Sequence, residues 1–491
     1  MSRISQSLSD LEQEHRRSPS VERAISRLID MEVPQSFEAL PYFRTIDPAL
    51  DFMITFPARS QLQQQFESPP LPGSVFSSTE TERCVRRART YFHIPFCQDI
   101  CKYCIFFIRY GSDDHAEHYL KALKQEWQQI SSLPMLRTMV SRELYVGGGT
   151  PTALSLEHLD LLTDMIQSNV RLEPGAEYTF EAHPASVTPE KLELLAERGV
   201  NRISMGVESF DNQALELCGR VGYTRDDVPI VLEMIRRAGI TNVNIDMIYG
   251  LPGETLSKFA DTLEYLTELF DADLLTAVSW YPYTTRKTLP EWPKGHFLPD
   301  SLDMLLMSAM IREALVNDLD STESPARYFE PRRYSNGTKK NPTVDWDRVV
   351  RDWLSEYEDV EIGCGNYAYS YVDAADQSYV NQRGVKRYIK RVEAGELPVA
   401  TELHLTHELK LERAVLKACQ IGFVNLTAIE ETFEFNLLQE KRGAIDEMVE
   451  HRLVEVTDGQ IFVTEKGKLN LEAVARKLAF MPGRYQVLSG A

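Results

Sequence analysis

The stretch YFHIPFCQDICKYC, residues 91–104, decides how the rest of this sequence is interpreted. It places Cys97, Cys101 and Cys104 directly after a short apolar run, residues 91–96, which predicts a β-strand. Three thiols so close together cannot form a set of disulfides, because their number is odd and the loop is tight. Thiolates bind zinc and iron–sulfur clusters. No fourth ligand stands at a spacing that suits structural zinc, so the pattern favours a four-iron cluster with one iron open to a small chelating molecule.

Strand-like and helix-like segments alternate after this stretch. The strand-like runs are residues 143–146, 177–181, 202–207, 242–248 and 274–281. The amphipathic stretches between them are residues 115–130, 156–166, 189–197, 228–238 and 255–269. Parallel strands need crossovers of about a dozen residues or more, and these stretches provide them. With the first run, six β/α units predict an α/β fold, a partial (β/α)6 barrel whose reactive loops lie at the carboxyl ends of the strands.

Composition narrows the class of protein. In 491 residues, 73 Asp and Glu outnumber 53 Lys and Arg, which gives a net charge of −20 and argues against a nucleic-acid partner. The longest apolar runs are strand-length, so no membrane span is expected. The polar N-terminus lacks a secretory signal, and seven cysteines are too few for a disulfide framework. These features predict a cytoplasmic protein.

Four regions are expected along the chain. Residues 1–84 read as an N-terminal extension and connecting segment, 85–300 as the β/α core, and 301–400 as a linker or substrate-covering region. Residues 401–491 contain three helical stretches followed by a hairpin around Asp458 and Gly459, a pair that favours a type I′ turn. This pattern predicts a C-terminal α+β cover domain with a winged-helix-like module, in a structural rather than a DNA-binding role.

A glycine motif follows the second strand, GGGTPT at residues 147–152. The later segments NRISMGVESF, residues 201–210, and NIDMIYGLPGET, residues 244–255, complete a series in a fixed order. Together with the cysteine stretch they resemble the radical S-adenosylmethionine (SAM) enzymes. The resemblance is to the subfamily named for oxygen-independent coproporphyrinogen III oxidase, and it runs from Tyr91 to the C-terminus.

The resemblance implies two cofactors and a set of residues that hold them. Cys97, Cys101 and Cys104 would bind a [4Fe–4S] cluster, and two molecules of SAM are expected. The segment Gly148, Gly149 and Thr150 would hold the methionine end of SAM. The remaining matched positions are Tyr91 before the cluster, the SAM-facing carboxylate Glu181, the polar Glu208, the carboxylate-binding Arg220, and the ribose or second-SAM contact Asp246.

Two departures guide the choice of branch within the subfamily. Phe106 stands where the coproporphyrinogen oxidase has a fourth cysteine, and NPTVDW, residues 341–346, does not match the N-x-x-Y-W segment of the haem-trafficking branch. The sequence therefore favours the methyltransferase or cyclopropanase branch, which adds a methyl or methylene group to an sp2 carbon. The segment FMITFPAR, residues 52–59, resembles a stretch in a haem-opening methyltransferase. The alternatives are an oxidative decarboxylase of the coproporphyrinogen oxidase type and a haem-trafficking chaperone.

The expected substrate is a small unsaturated or aromatic molecule of the quinone, tetrapyrrole, indole or thiazole class. A flavodoxin or ferredoxin is the expected reductant. Aromatic residues after the sixth strand suit a flat substrate, and arginines could pair with its carboxylates. These candidates are Trp280, Tyr281, Tyr283, Arg327, Tyr328, Phe329, Glu330, Arg332, Arg333 and Tyr334. The histidines considered for haem ligation or proton transfer are His93, His183 and His407.

Overall fold

A computed structural model of the chain describes residues 19–33, 40, 85–104, 109–110, 113–283, 298–318, 322–324, 333–335, 360–372 and 375–479. Most of the expected N-terminal region, 1–84, and the segments 52–59 and 341–346 lie outside the described residues. Within the described part, no helix is both long and apolar enough to cross a membrane. The cytoplasmic location stays a prediction.

The sheet is built on six parallel strands. In chain order the strands up to the end of the core are β1 (Arg87–Ile94), β2 (Phe96–Cys97), β3 (Arg109–Tyr110), β4 (Val140–Gly148), β5 (Leu172–Ala182), β6 (Arg202–Glu208), β7 (Asn242–Tyr249) and β8 (Ala277–Pro282). Strands β1, β4, β5, β6, β7 and β8 pair in that order, all in parallel, and β2 pairs separately with β3. The predicted α/β architecture is confirmed.

Helices connect these strands as the periodicity predicts. In chain order they are α1 (Pro19–Asp30), α2 (Asp113–Ser132), α3 (Leu156–Asn169), α4 (Pro189–Glu197), α5 (Asn212–Cys218), α6 (Asp227–Arg237), α7 (Leu256–Asp271) and α8 (Ser301–Arg312). Several begin at a side-chain cap: Ser155, Thr188 and Thr255 each accept a hydrogen bond from the backbone N–H three residues on. Such caps satisfy N–H groups that have no partner inside the helix.

The sheet continues beyond both ends of the six-strand core. The added elements are β9 (Thr322–Ser324), β10 (Arg333–Ser335), β11 (Val360–Cys364), β12 (Tyr369–Val372), β13 (Gln377–Asn381), α9 (Val385–Glu393) and β14 (Val399–His404). β11 pairs in parallel with β1, and β12, β13 and β14 extend that edge as antiparallel strands. β10 and β9 extend the other edge from β8. Part of the region expected as a linker therefore forms strands of the main sheet, whereas the domain boundaries themselves stay a prediction.

The C-terminal module is helical around a small sheet. Its elements are α10 (His407–Ile421), β15 (Phe423–Asn425), α11 (Leu426–Phe433), α12 (Leu437–Glu440), α13 (Arg442–Glu450), β16 (Val454–Thr457), β17 (Gln460–Val463), α14 (Glu465–Lys468) and α15 (Leu471–Ala479). β16 and β17 pair antiparallel, with positive φ angles of 52° at Asp458 and 74° at Gly459. Positive φ at both residues is what a type I′ turn requires. The module's apolar residues join the main hydrophobic core.

Candidate active site

The cysteine loop begins where the first strand of the sheet ends. Cys97 closes β2 and is buried, whereas Cys101 and Cys104 are half-buried. The Cys104 N–H donates a hydrogen bond of 3.1 Å to the Cys101 carbonyl oxygen, so these two cysteines share one tight turn. The Lys102 N–H donates to the carbonyl oxygen of Cys218 (2.9 Å), which fixes the loop against the end of α5. The loop therefore presents three thiols from one anchored segment.

The donor set of this loop suits an iron–sulfur cluster. Cys97 Sγ lies 3.4 Å from Thr150 Oγ1, and Arg220 Nη1 lies 3.5 Å from Cys101 Sγ. Hydrogen-bond donors and positive charge beside a cysteine favour its thiolate, the form that binds metal. Burial raises the pKa of the Cys97 thiol to about 11, so iron binding must release its proton. Among the described side chains, no three His, Cys, Asp or Glu residues already converge on a metal position.

Each glycine of the motif leaves room for a different neighbour. A Cβ atom added to Gly147 would lie 2.6 Å from the Glu181 carboxyl carbon, and one added to Gly148 would overlap the His93 ring. A Cβ atom on Gly149 would lie 2.5 Å from the Phe96 carbonyl oxygen. The Gly149 N–H instead donates to the Ile94 carbonyl oxygen at 2.7 Å. The motif is thus tied to the segment that leads into Cys97.

Glu181 stands at the end of β5 and faces the glycine motif. Its Oε1 accepts a hydrogen bond from the Tyr145 hydroxyl (2.9 Å), and its Oε2 accepts one from the Gly148 N–H (2.8 Å). The sequence-level prediction placed Glu181 and Gly148 at one site, and the structure brings them into direct contact. These two bonds fix the carboxylate in one position, which suits a group that must hold a cationic ligand group.

Tyr91 lies on the same inner side of the sheet. Its hydroxyl is 2.9 Å from His93 Nδ1, and its ring centroid is 6.1 Å from that of Tyr145. Tyr91, Tyr145 and Ala368 form a small buried cluster of their own. Tyr91 therefore lies beside Tyr145, which in turn holds Glu181.

Arg220 connects the cysteine loop to the end of β6. Its guanidinium lies 3.5 Å from Cys101 Sγ and 3.3 Å from Glu208 Oε1, and it also donates to the Gly206 carbonyl oxygen. Glu208 has a φ of +67°, a strained value for a residue with a side chain. Burial raises the pKa of Glu208, and the positive charge of Arg220 partly opposes that rise. The structure therefore brings Arg220 and Glu208 to the cluster loop.

Asp246 lies one strand further on, within a polar layer of the core. Its carboxylate accepts hydrogen bonds from the Ser204 hydroxyl (3.1 Å) and from the Asn244 side-chain amide (3.0 Å). The Ser279 hydroxyl donates in turn to Asn244 Oδ1 (3.1 Å). Ser204, Asn244 and Ser279 were missed from the sequence. Their signal is polar residues at alternate positions of otherwise apolar strands.

The aromatic residues of β8 divide between the site and the core. Trp280 is fully buried and packs on Phe259 of α7, with ring centroids 5.4 Å apart, so it is a core residue and the substrate role considered for it is wrong. Tyr281 and Tyr283 point the other way and belong to a cluster that includes Tyr103 of the cysteine loop. The alternation of side chains along a strand explains this division.

The other candidate residues from the sequence either lack described side chains or have hydrogen-bond partners in the fold. Residues 327–330 and Arg332 lie outside the described residues, and of Arg333 and Tyr334 only the backbone in β10 is described. His183 caps a short helical turn by accepting the Ala185 N–H (3.1 Å), and burial lowers its pKa to about 3. His407 Nε2 lies 2.7 Å from the Phe433 carbonyl oxygen within the C-terminal module. Both histidines thus have structural partners.

Comparison with known proteins identifies the family of this site. Residues 91–266 match the model of the radical SAM superfamily. Over these residues the chain is similar to radical SAM proteins. The match begins at Tyr91 and contains the cysteine loop, the glycine motif, Glu181, Glu208, Arg220 and Asp246. This match implies a [4Fe–4S] cluster and SAM as cofactors, and the thiol donors of the loop fit that cluster.

Two relatives and one solved structure of the HemN-like group match over most of this chain. The heme chaperone HemW of Bacillus subtilis is 29% identical over 389 residues, which cover 77% of this chain and 96% of HemW. The oxygen-independent coproporphyrinogen III oxidase of Salmonella typhimurium is 26% identical over 438 residues, which cover 87% of this chain and 90% of that enzyme. The structure of coproporphyrinogen III oxidase (HemN) from Escherichia coli, 23% identical, superposes with a TM-score of 0.69 over 88% of this chain and 95% of that one.

These comparisons correct one preference from the sequence. The chain is similar to HemN-like proteins, and the methyltransferase or cyclopropanase branch is not supported. The two alternatives, a coproporphyrinogen oxidase type and a haem chaperone, are favoured over it. The departures at Phe106 and at residues 341–346 concern a few positions, whereas the relatives match over most of their length.

Proposed function

We propose that this chain is a SAM-cleaving enzyme that abstracts hydrogen from a tetrapyrrole, as a coproporphyrinogen oxidase type of enzyme would. The observation that carries the proposal is the convergence of Glu181, Gly148, Thr150 and Arg220 around the cysteine loop. The cluster and SAM supply, when bound, a 5′-deoxyadenosyl radical.

The residues of the site have separate tasks in this proposal. Cys97, Cys101 and Cys104 hold the cluster, and the glycine motif and Glu181 bind the methionine end of SAM. Arg220 keeps positive charge beside the Cys101 sulfur and beside Glu208, where an anionic ligand group would bind. Positioning of this kind is what a protein contributes when the cofactor performs the difficult chemistry.

The substrate class rests on the relatives and on the aromatic side of the site. The relatives that match most of the chain are named for haem and for coproporphyrinogen III. Tyr283 belongs to a buried apolar cluster against which Tyr281 and Tyr103 of the cysteine loop pack. Flat, rigid rings of this kind suit a large conjugated ligand. A second bound SAM is part of the same proposal.

A haem chaperone is the second candidate function. Two observations favour it: Phe106 occupies the position of a fourth cysteine in the coproporphyrinogen oxidase, and the Bacillus HemW matches over 96% of its own length. In this case the chain would bind haem stably and turn over SAM slowly or not at all.

The test is an anaerobic assay on the reconstituted full chain with SAM, a strong reductant and either coproporphyrinogen III or haem. We expect 5′-deoxyadenosine to rise only when a tetrapyrrole is present, with carbon dioxide released from coproporphyrinogen III. Cys97→Ala should abolish both products. Cys419→Ala, which changes a buried cysteine of the C-terminal module, is the matched control and should retain them.

Other outcomes point elsewhere. A stable one-to-one haem complex without 5′-deoxyadenosine would replace the enzyme by the chaperone. S-Adenosylhomocysteine that accumulates together with 5′-deoxyadenosine would restore methyl transfer. Equal 5′-deoxyadenosine with and without a tetrapyrrole would contradict the proposed substrate class.

A further inference from the structure

A basic helix lies on the surface of this acidic chain. The sequence of α9 is VKRYIKRVE, and Lys386, Arg387 and Lys390 are exposed, as is Arg383 just before it. Val385, Tyr388 and Val392 are buried and attach the helix to α2. Since acidic residues outnumber Lys and Arg by 73 to 53 in the whole chain, such a concentration of positive charge is unexpected.

The charges on this helix are not neutralised locally. Arg391 pairs with Glu396 at 3.2 Å, but among the described residues no carboxylate pairs with Lys386, Arg387 or Lys390. Lys386 and Arg387 also occupy the first turn of the helix, which contains no acidic residue. The helix dipole disfavours cations at that end. This arrangement destabilises the helix, and no ion pair of Lys386 or Arg387 within the described part of the chain offsets that cost.

The inner side of the same helix leads to the cysteine loop. The Tyr388 ring centroid lies 5.2 Å from that of Tyr119 on α2, and the Tyr119 centroid lies 5.4 Å from that of Phe96. Phe96 directly precedes Cys97. The Tyr119 hydroxyl also donates to the His93 carbonyl oxygen (2.6 Å), which fixes this aromatic layer against β1. A molecule bound on the outer face of α9 would therefore be separated from Cys97 by three packed rings.

We infer that the basic face of α9, formed by Lys386, Arg387 and Lys390, is the docking surface for an acidic one-electron donor protein. The inference rests on the use of the cluster in the proposed function. One electron leaves the reduced centre of the donor and enters the cluster, and no bond or proton changes place. Complementary charge steers such an encounter and sets its rate more than its affinity.

An acidic protein suits this surface better than a membrane does. Helices that bind membrane interfaces insert large apolar side chains beside their basic residues. Within the described residues, no exposed large hydrophobic side chain lies between Arg383 and Glu393. A rigid, purely charged face fits a partner that docks transiently and leaves.

The experiment uses the reconstituted full chain and a plant-type [2Fe–2S] ferredoxin as the acidic probe. Binding of labelled, oxidised ferredoxin is measured by fluorescence anisotropy, and reduction of the cluster is followed separately with reduced ferredoxin and with dithionite. We expect K386E/K390E to weaken ferredoxin binding about tenfold and to slow reduction by ferredoxin, with reduction by dithionite unchanged. K386Q/K390Q should show a smaller effect in the same direction.

The matched control is R86E/R137E, which makes the same charge change at exposed residues near the amino ends of β1 and β4. It should bind and accept electrons like the wild type. The inference would be overturned if both double variants lost ferredoxin binding equally, or if K386E/K390E lost none. Tighter binding of this face to duplex DNA or to anionic vesicles than to ferredoxin would also overturn it. These readouts need no tetrapyrrole, so they stand if the proposed function fails.

Discussion

At the scale of single residues, the site depends on close backbone approach. Gly149 lies against the carbonyl oxygens of Ile94 and Phe96, and its own N–H donates to Ile94. The Thr150 N–H donates to the Phe96 carbonyl oxygen at 2.8 Å. These two hydrogen bonds set the position of Cys97 relative to the glycine motif. A methyl group added at Gly149 would therefore disturb both Cys97, the proposed cluster ligand, and the proposed SAM-binding segment.

Replacing Gly149 with alanine should separate these two parts of the site. The new Cβ would meet backbone atoms that cannot rotate away, so we expect a loss of about 1–3 kcal/mol in the free energy of unfolding and less iron bound per chain. Gly443→Ala is the control, since that glycine is exposed in α13 with nothing near its Cβ position. Thermal unfolding and iron analysis measure both effects. Iron content equal to that of the wild type in G149A would contradict this account.

Glu181→Gln should weaken SAM binding while the fold persists. The neutral amide keeps the shape of the side chain but loses the charge, and hydrogen bonds to charged groups are worth about 1.5–3 kcal/mol, so we expect affinity to fall about tenfold or more. Glu177→Gln is the control in the same strand, because Glu177 interacts with Arg202 and Asn242 instead. Isothermal titration of SAM into each reconstituted variant measures the two affinities. If E177Q lost SAM affinity as E181Q does, the effect would come from the strand and not from the site.

At the scale of elements, α2 joins the barrel to the strands added at its edge. Glu126 is buried on this helix and accepts hydrogen bonds from the Gly365 N–H (2.7 Å), the Asn381 amide (2.6 Å) and the Tyr388 hydroxyl (2.6 Å). These partners come from the loop after β11, from β13 and from α9. One carboxyl group therefore fixes three elements against α2.

Glu126 also makes stability depend on pH. Burial raises its pKa from the ordinary 4.5 to about 8, so the folded chain holds the proton more tightly than the unfolded chain does. The stabilisation that comes from the protonated Glu126 is complete below pH 4.5 and is lost as the pH rises toward 8. Relative to E126Q, the free energy of unfolding of the wild type should fall by about 1.4 kcal/mol per pH unit in that range. Denaturant titrations from pH 5 to 8 measure this slope, and a constant difference would contradict it.

The sequence could predict the elements but not all of their pairings. Strand and helix patterns follow from local alternation and periodicity, so the six β/α units were predictable, as was the hairpin at Asp458 and Gly459. The parallel pairing of β11 with β1 joins residues far apart in the chain, and no local pattern indicates it. Glu126 did leave a signal, because it falls in the apolar stripe of α2 that contains Tyr119 and Leu123.

At the scale of the whole molecule, a buried ion cluster links the barrel to the C-terminal module. Glu361 of β11 accepts hydrogen bonds from Arg89 of β1 (3.0 Å), Arg413 of α10 (3.0 Å) and Lys417 of α10 (3.2 Å). The Arg413 guanidinium also stacks on the Tyr371 ring, 3.8 Å from its centroid. Three positive side chains thus meet one carboxylate at the junction of sheet and module, and Arg89 also lies 3.5 Å from Glu143.

Glu361→Gln should loosen that junction. Removing the negative charge breaks the buried ion pair between Glu361 and Arg413, and breaking a buried ion pair in this way costs about 3–5 kcal/mol. We expect the C-terminal module to unfold before the barrel, so that urea unfolding shows two transitions and limited proteolysis releases the module first. Glu117→Gln, which removes an exposed pair with Lys121 on α2, should leave a single transition unchanged. If E361Q unfolded in the same single step as E117Q, the module would be held by its apolar contacts and not by these charges.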